Sequence, residues 1–282
     1  MILFGRYISA SIESPEGNVK TFTHNPDNGD IYSIDFDIEF GGKATIKLYN
    51  VLPSTALMCE PKKDKNGKIE KYAKVKLLAG YGTDFGLIGT GDIVQSIFSK
   101  SGADKVLSIS AFHKMDILTN LCLQKNYSGT WTAILSDFLT DNGLSYYEIL
   151  SDIGSTQVSQ FAATGTVGNV IAKICKEIKA EAYFDLGKLI IATKEIKSEL
   201  ASMQVVLDSS SGLIGSPEKK NNEWSAKSLL NRRIGKNKMV KVQFWDYSKS
   251  ESTTKQFLVT KGKHSGSSWT SNFYTEFECK PV

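Results

Sequence analysis

The chain has 282 residues, 41% apolar and 10% aromatic, enough to bury a core and to divide into two or three domains. Thirty-four basic against thirty acidic residues leave a net charge of +4, a mixed surface unlike the one-sided charge of a polyanion grip. No apolar run approaches the ~18 residues of a membrane span, and residues 1–6 lack the basic-then-apolar order of a secretory signal, so synthesis in a cytoplasm is expected.

A first unit, residues 1–115, reads as nearly all strand. Residues 32–40 alternate strictly, with Ile34, Phe36, Ile38 and Phe40 on one face and Asp35, Asp37 and Glu39 on the other. Residues 43–49 alternate again through Ala44, Ile46 and Leu48. A two-residue Gly41-Gly42 loop would set apolar against polar side chains, so the loop must be odd or bulged. A loop of Gly41, Gly42 and Lys43 would place Ile38 beside Ile46 and Asp37 beside Lys47. The three carboxylates, with lysines across the hairpin and no histidine nearby, read as a solvated face and not as a metal or acid–base site. Residues 61–71 form a charged hairpin tip turning at Asn66-Gly67. Gly86, Gly89 and Gly91 mimic a phosphate loop, but strand pattern follows them through residue 99, so they read as a turn or bulge.

The middle unit, residues 116–203, changes period. Trp131, Ile134, Leu135, Phe138 and Leu139 make a helical stripe ended by Asn142-Gly143. Thr166 caps a second helix with a face of Val167, Val170, Ile171, Ile174, Cys175 and Ile178. A hairpin over residues 183–193 completes a small α+β domain. The third unit, residues 204–282, starts near Met203 with a Ser/Gly-rich linker or long turn before Pro217, and strand pattern resumes at Trp224.

The two ends of the chain repeat one order of motifs. Strands end at Asn50 and Asn231, alternating strands carry Lys-Val at 74–75 and 241–242, and Ser-Gly turns fall at 101–102 and 265–266. Two similar β units flanking an unrelated middle suit a protein that supplies pseudo-equivalent parts to a ring. The expected fold is mainly β with a small α+β insert: two tube-like antiparallel β-barrel or sandwich domains flanking a middle α+β domain.

Motifs for chemistry are not apparent. Cys59, Cys122, Cys175 and Cys279 form no C-x-x-C pair and lie at no zinc spacing from His24, His113 or His264, so all four read as buried thiols. His264, in Lys-His-Ser-Gly, reads as a turn residue. There is no Ser-His-Asp elbow, H-E-x-x-H or P-loop, so no catalytic, cofactor-binding or metal residue is assigned and no enzymatic activity is expected. Basic residues from Lys219 to Lys241, including Arg232 and Arg233, offer a nucleic-acid site or, in better keeping with the mixed surface, a solvated or subunit-facing strand edge guarded by lysine.

Several short strings resemble one family. Leu77-Leu78-Ala79-Gly80-Tyr81-Gly82 with Gly89-Thr90-Gly91-Asp92-Ile93-Val94, then Ser211 to Pro217 with Ser228-Leu229-Leu230-Asn231, and His264-Ser265-Gly266 with Trp269, occur in the order seen in phage baseplate hub proteins. The family is the late-control-protein-D-like hub of contractile tails and related injection systems. The resemblance implies a homotrimer whose two tube-like domains per chain make a pseudo-sixfold ring in the virion tail baseplate. It implies partners in the puncturing tail spike, the tail tube or its initiator and the tape-measure protein, with DNA passing unbound through the channel. Other readings are a distal-tail or tube adaptor of a non-contractile tail, a β-rich nucleic-acid-binding protein and a cell-wall hydrolase. Ser267 stands where an acidic residue commonly follows the closing Ser-Gly of that family.

Overall fold

Apolar–polar alternation becomes strand directly in the computed structural model, which describes residues 5–150, 156–193, 205–220, 223–246 and 250–282. The first part of the chain forms β1 (Arg6–Glu13), β2 (Val19–Asn25), β3 (Asp30–Ile31), β4 (Ile34–Glu39) and β5 (Ala44–Tyr49). A short helix α1 (Pro53–Met58) and the small hairpin β6 (Lys62–Lys63) and β7 (Ile69–Lys71) precede β8 (Lys74–Tyr81), β9 (Asp84–Ser101) and β10 (Asp104–Phe112). The middle contributes α2 (Met115–Leu118), β11 (Lys125–Thr130), α3 (Trp131–Asp141), β12 (Tyr147–Leu150), β13 (Gln157–Ala163), α4 (Val167–Glu177), β14 (Ala180–Asp185) and β15 (Lys188–Thr193). The last part holds β16 (Val205–Leu207), β17 (Leu213–Lys220), β18 (Glu223–Leu229), β19 (Met239–Asp246), β20 (Glu251–Ser267) and β21 (Phe273–Pro281). The fold is mainly β with a small α+β insert.

By contacts the chain divides into two units, Met1–Phe112 with Lys197–Val282, and His113–Ile196. Met203, where the sequence suggests the third segment begins, lies outside the described residues.

In the first unit one 14-stranded sheet runs β17-β18-β21-β20-β4-β5-β10-β9-β8-β1-β2-β3, with β19 on β20 and β16 on β19. Ile34, Phe36 and Ile38 of β4 and Ala44, Ile46 and Leu48 of β5 are all buried, as their alternation requires. They join Ile8, Ile12, Leu77, Leu107 and Ile109 in one core, which also takes Leu230 and Phe273 from the last part of the chain. A second core gathers Val240, Val242, Phe244, Phe257, Val259 and Phe277, with Phe40 of the first part packed against it.

The β4–β5 loop is odd, as parity demands, but it holds Phe40, Gly41 and Gly42. Glu39 N–H donates to the Lys43 carbonyl, Ile38 faces Ala44, and Asp37 faces Thr45. The expected Ile38–Ile46 and Asp37–Lys47 pairs are replaced by Phe36–Ile46 and Asp35–Lys47. Phe40 is drawn out of the hairpin because its ring packs on the second core and its N–H donates to the Gly262 carbonyl at 2.8 Å. Strand β17 begins at Leu213, inside the Ser/Gly-rich stretch 209–215 that reads as a linker or long turn, and runs on through Pro217. The strand tolerates Pro217 because it is an edge strand whose register slips between Ile214 and Glu218.

The unit His113–Ile196 packs α3 and α4 through Ile134, Leu135, Phe138, Ile171 and Ile174 around one core. Thr130 and Thr166 cap the two helices, each hydroxyl accepting from the N–H three residues on at 3.3 Å. Strand β15 pairs antiparallel with β14 through a turn at Leu186 and Gly187, both at positive φ, and parallel with β12.

Candidate functional site: two equivalent meanders and their seam

The strand registers define the repeat. In the first part β4, β5, β10, β9 and β8 are consecutive neighbours; in the last part β17, β18, β21, β20 and β19 are, with every pairing antiparallel in both. The longest strand lies at the same place in each, β9 with 18 residues and β20 with 17. Both carry a bulge at the same step. Ser110 faces Gln95 and Ala111 faces Ile93, leaving Val94 over; Glu278 faces Lys261 and Cys279 faces Val259, leaving Thr260 over. Counting from these bulges, Ser99 corresponds to Ser265, Thr45 to Ser225, and Asp37 to Glu218.

The registers shift the motif matches made from sequence. Val75 faces Gly91 and corresponds to Val240 facing Phe257, two residues before Val242. Ser101-Gly102 is a turn, with Gly102 at φ +62°. Ser265-Gly266 lies inside β20. His264 is likewise a buried strand residue and not a turn residue; its Nδ1 lies 2.9 Å from the Thr275 hydroxyl. Burial holds the imidazole well below its ordinary value, at about 3, with Lys238 acting in the same direction. Pairing with β4 on one side and β21 on the other turns these residues inward, which a Ser-Gly dipeptide alone does not signal.

The two meanders meet where β4 pairs with β20. Glu39 faces Lys263, Ile38 faces His264, Asp37 faces Ser265, Phe36 faces Gly266 and Asp35 faces Ser267. Two glycines make this approach possible. A Cβ at Gly262 would strike the Phe40 ring edge at 2.7 Å, and one at Gly266 would run into the Phe36 ring. The Ser265 hydroxyl donates to Asp37 Oδ1 at 2.5 Å, and Lys263 Nζ lies 3.6 Å from the same oxygen. Arg6 adds hydrogen bonds to the carbonyls of Ser267, Thr270 and Ser271, and the Tyr81 hydroxyl donates to the Phe273 carbonyl at 3.0 Å.

The carboxylate row therefore has a structural setting. Asp35 accepts from the Tyr49 hydroxyl at 2.7 Å, and burial, reinforced by this bond, pushes that phenol up to about 12; Asp37 serves the seam, and Glu39 is exposed. Asp35 and Asp37 line a depression of about 290 Å³ with Lys47, Lys263 and Ser265. Among the described residues no group of three or more His, Cys, Asp or Glu is placed to hold a metal ion.

Gly86, Gly89 and Gly91 lie within β9, whose register against β8 slips at Leu77–Leu78, so a bulge stands there; a Cβ at Gly89 would press on Ile38 Cδ1 at 2.9 Å. Three of the basic residues of 219–241 meet acids distant in sequence. Arg232 and Arg233 reach Asp84 at 3.2 and 3.7 Å, and Lys227 reaches Glu276 at 3.0 Å. All four cysteines are free and buried, and burial raises Cys59 and Cys279 to about 12 and Cys175 to about 11. No helix among the described residues is long and apolar enough to cross a membrane.

No protein-family profile matches the chain, and no curated protein matches it in sequence. Solved structures do match. The 43 kDa tail protein of prophage MuSo2 from Shewanella oneidensis aligns over 97% of this chain and 98% of its own, with a TM-score of 0.60 at 11% identity. A tail protein from Neisseria meningitidis MC58 aligns over 98% and 97%, with a TM-score of 0.58 at 12% identity. The Escherichia coli c3393 protein, a type VI secretion component similar to the T4 tail proteins gp27 and gp5, aligns over 89% and 73%, with a TM-score of 0.56 at 11% identity. The chain has the fold of these phage tail and type VI secretion proteins.

Proposed function

We propose that the protein is a structural component of a phage tail baseplate or a related injection machine. In this reading it is the central hub, a homotrimer whose six β meanders form a pseudo-sixfold ring. The observation that carries it is the duplicated five-strand meander with its matched bulges at Val94 and Thr260. A threefold spike and a sixfold tube meet most simply through a trimer that presents two equivalent modules per chain. The tail-protein and type VI secretion matches support a structural role of this kind, because they extend over nearly the whole chain.

The three-part division of the chain at residues 1–115, 116–203 and 204–282 follows in this reading, with the two meander-bearing parts as tube-like domains. The hub would join the tail tube to the puncturing spike, meet the tape-measure protein, and line a channel through which DNA passes without specific binding. It acts without chemistry. Its place is the virion tail baseplate after synthesis in the host cytoplasm.

Native mass across a concentration series, with negative-stain images of the same sample, tests the reading. A trimer with ring views and six lobes is expected. A hexamer would transfer the protein to the tube or distal-tail adaptor class, and a strict monomer, even with its spike present, would remove the ring.

A further inference from the structure

The repeat leaves two strand edges without a hydrogen-bonded partner strand among the described residues, and they are the counterparts of the two edges that meet at the seam. Strand β17 corresponds to β4 but ends the sheet, pairing only with β18. Strand β9 corresponds to β20, and beyond its bulge, from residue 95 to 101, it pairs only with β10. The equivalent stretch of β20 is covered by β4, which leaves Ser265 and Ser267 each 5% exposed. Their counterparts Ser99 and Ser101 are exposed, and Ile97 beside them is 51% exposed. On β17 Ile214 is 41% exposed. Open edges carrying exposed isoleucines are templates for a further strand.

We propose that β17 of one copy pairs antiparallel with residues 97–101 of β9 in a second copy, reproducing between chains the β4–β20 seam found within one. The proposal rests on the ring reading above and adds the surface and the register by which it closes. Transferring the seam's register places Phe98 opposite Lys219, Ser99 opposite Glu218 and Ser101 opposite Ile214.

The chemistry transfers with the register. Within the chain, Ser265 donates to the carboxylate of Asp37. Between chains, Ser99 would donate to the carboxylate of Glu218, so a serine faces an acid at both junctions. Bulk is exchanged between the strands. At the inner seam Phe36 of β4 faces Gly266 of β20. At the outer one, Lys100 of β9 faces the slipped stretch Gly215-Ser216-Pro217 of β17, so the large side chain moves to the other strand while the small partner is kept. Pro217 and Lys219 make β17 a poor template for unrelated strands, so the edge is open to a matched partner and guarded against others.

The pair Asp37–Ser265 lies between hydrogen-bonded pairs, since Phe40 bonds Gly262 and Ser268 bonds Ile34. Such sites bring Cα atoms to about 4.5 Å, within disulfide reach. The full-length double variant Ser99→Cys with Glu218→Cys should therefore form disulfide-linked dimers and trimers under mild oxidation, reversed by reductant. Neither single variant should do so, because the native thiols are buried. The displaced pair Gln95→Cys with Glu218→Cys should lose most of that product. If native mass shows an oligomer and the in-register pair stays uncrosslinked, the edge pairing is overturned while the ring stands. If the mass is monomeric throughout, the ring and this pairing fall together.

Discussion

Val94 of β9 and Thr260 of β20 are the extra residues of two bulges that fall at the same step of two meanders. A bulge bends and twists its strand, so it shapes the sheet and is seldom placed by accident. Here the bulge divides a strand of 17 or 18 residues into two stretches: those of β20 pair with β19 and then β4, and those of β9 pair with β8 and then, among the described residues, with no further strand on that side.

The seam depends on glycine. Gly266→Val sets two methyl groups against the Phe36 ring and should destabilise the protein by about 1–3 kcal/mol, the usual cost of overpacking. The double variant with Phe36→Ala should recover part of that loss, since the clash is the shared term. Chemical denaturation of the two singles and the double checks this; additive losses would contradict it.

Phe40 links the hairpin of one meander to the core of the other. Its ring also lies 4.9 Å from that of His264. Phe40→Ala should cost about 2–4 kcal/mol, near the range for truncating a packed aromatic residue. A melting temperature unchanged from wild type would show that the contact contributes little.

Val75 and Val242 are 1% and 0% exposed in separate cores. Either changed to Asp buries an unpaired charge, a penalty of several kcal/mol against a total stability of about 5–15 kcal/mol. Neither variant should give folded, assembling protein by circular dichroism and size-exclusion chromatography. Asp37→Ala is the contrasting case. The Asp37 side chain is 56% exposed in its ion pair with Lys263, so its loss should cost no more than about 1 kcal/mol. An Asp37→Ala protein that folds but cannot assemble would give the seam carboxylate a further role.

Acid should unfold the chain through its buried imidazoles. His264 is lowered from 6.5 to about 3 and His113 to about 4, both chiefly by burial. Between pH 6.5 and those values the unfolded chain binds protons that the folded chain refuses, so stability is greatest above pH 6.5 and falls as the pH drops through this window. Thermal melts from pH 7.5 to 4 should show this decline, and His264→Gln should flatten it. A melt independent of pH in that range, for wild type, would show that neither ring is held neutral.

Strand identity, the two capped helices and the buried thiols were legible in the sequence because they follow from local pattern. Alternation set Ile34, Phe36 and Ile38 inward, and the hydroxyls of Thr130 and Thr166 sit where helix starts need acceptors. The duplication was legible too, though only as an order of motifs. What the tertiary structure decided is register and neighbour. Phe40 left its hairpin for a core built by residues from Leu207 to Cys279, far along the chain, shifting the loop by one residue and changing every cross-strand pair of β4 and β5. His264, Ser265 and Gly266 became interior because β4 covers them, and β17 became strand despite Pro217 because β18 pairs with it. Side-chain alternation belongs to one segment and is written in it. The partner of an edge is set by hydrogen bonds and ring packing between distant segments, which no single stretch of the chain contains.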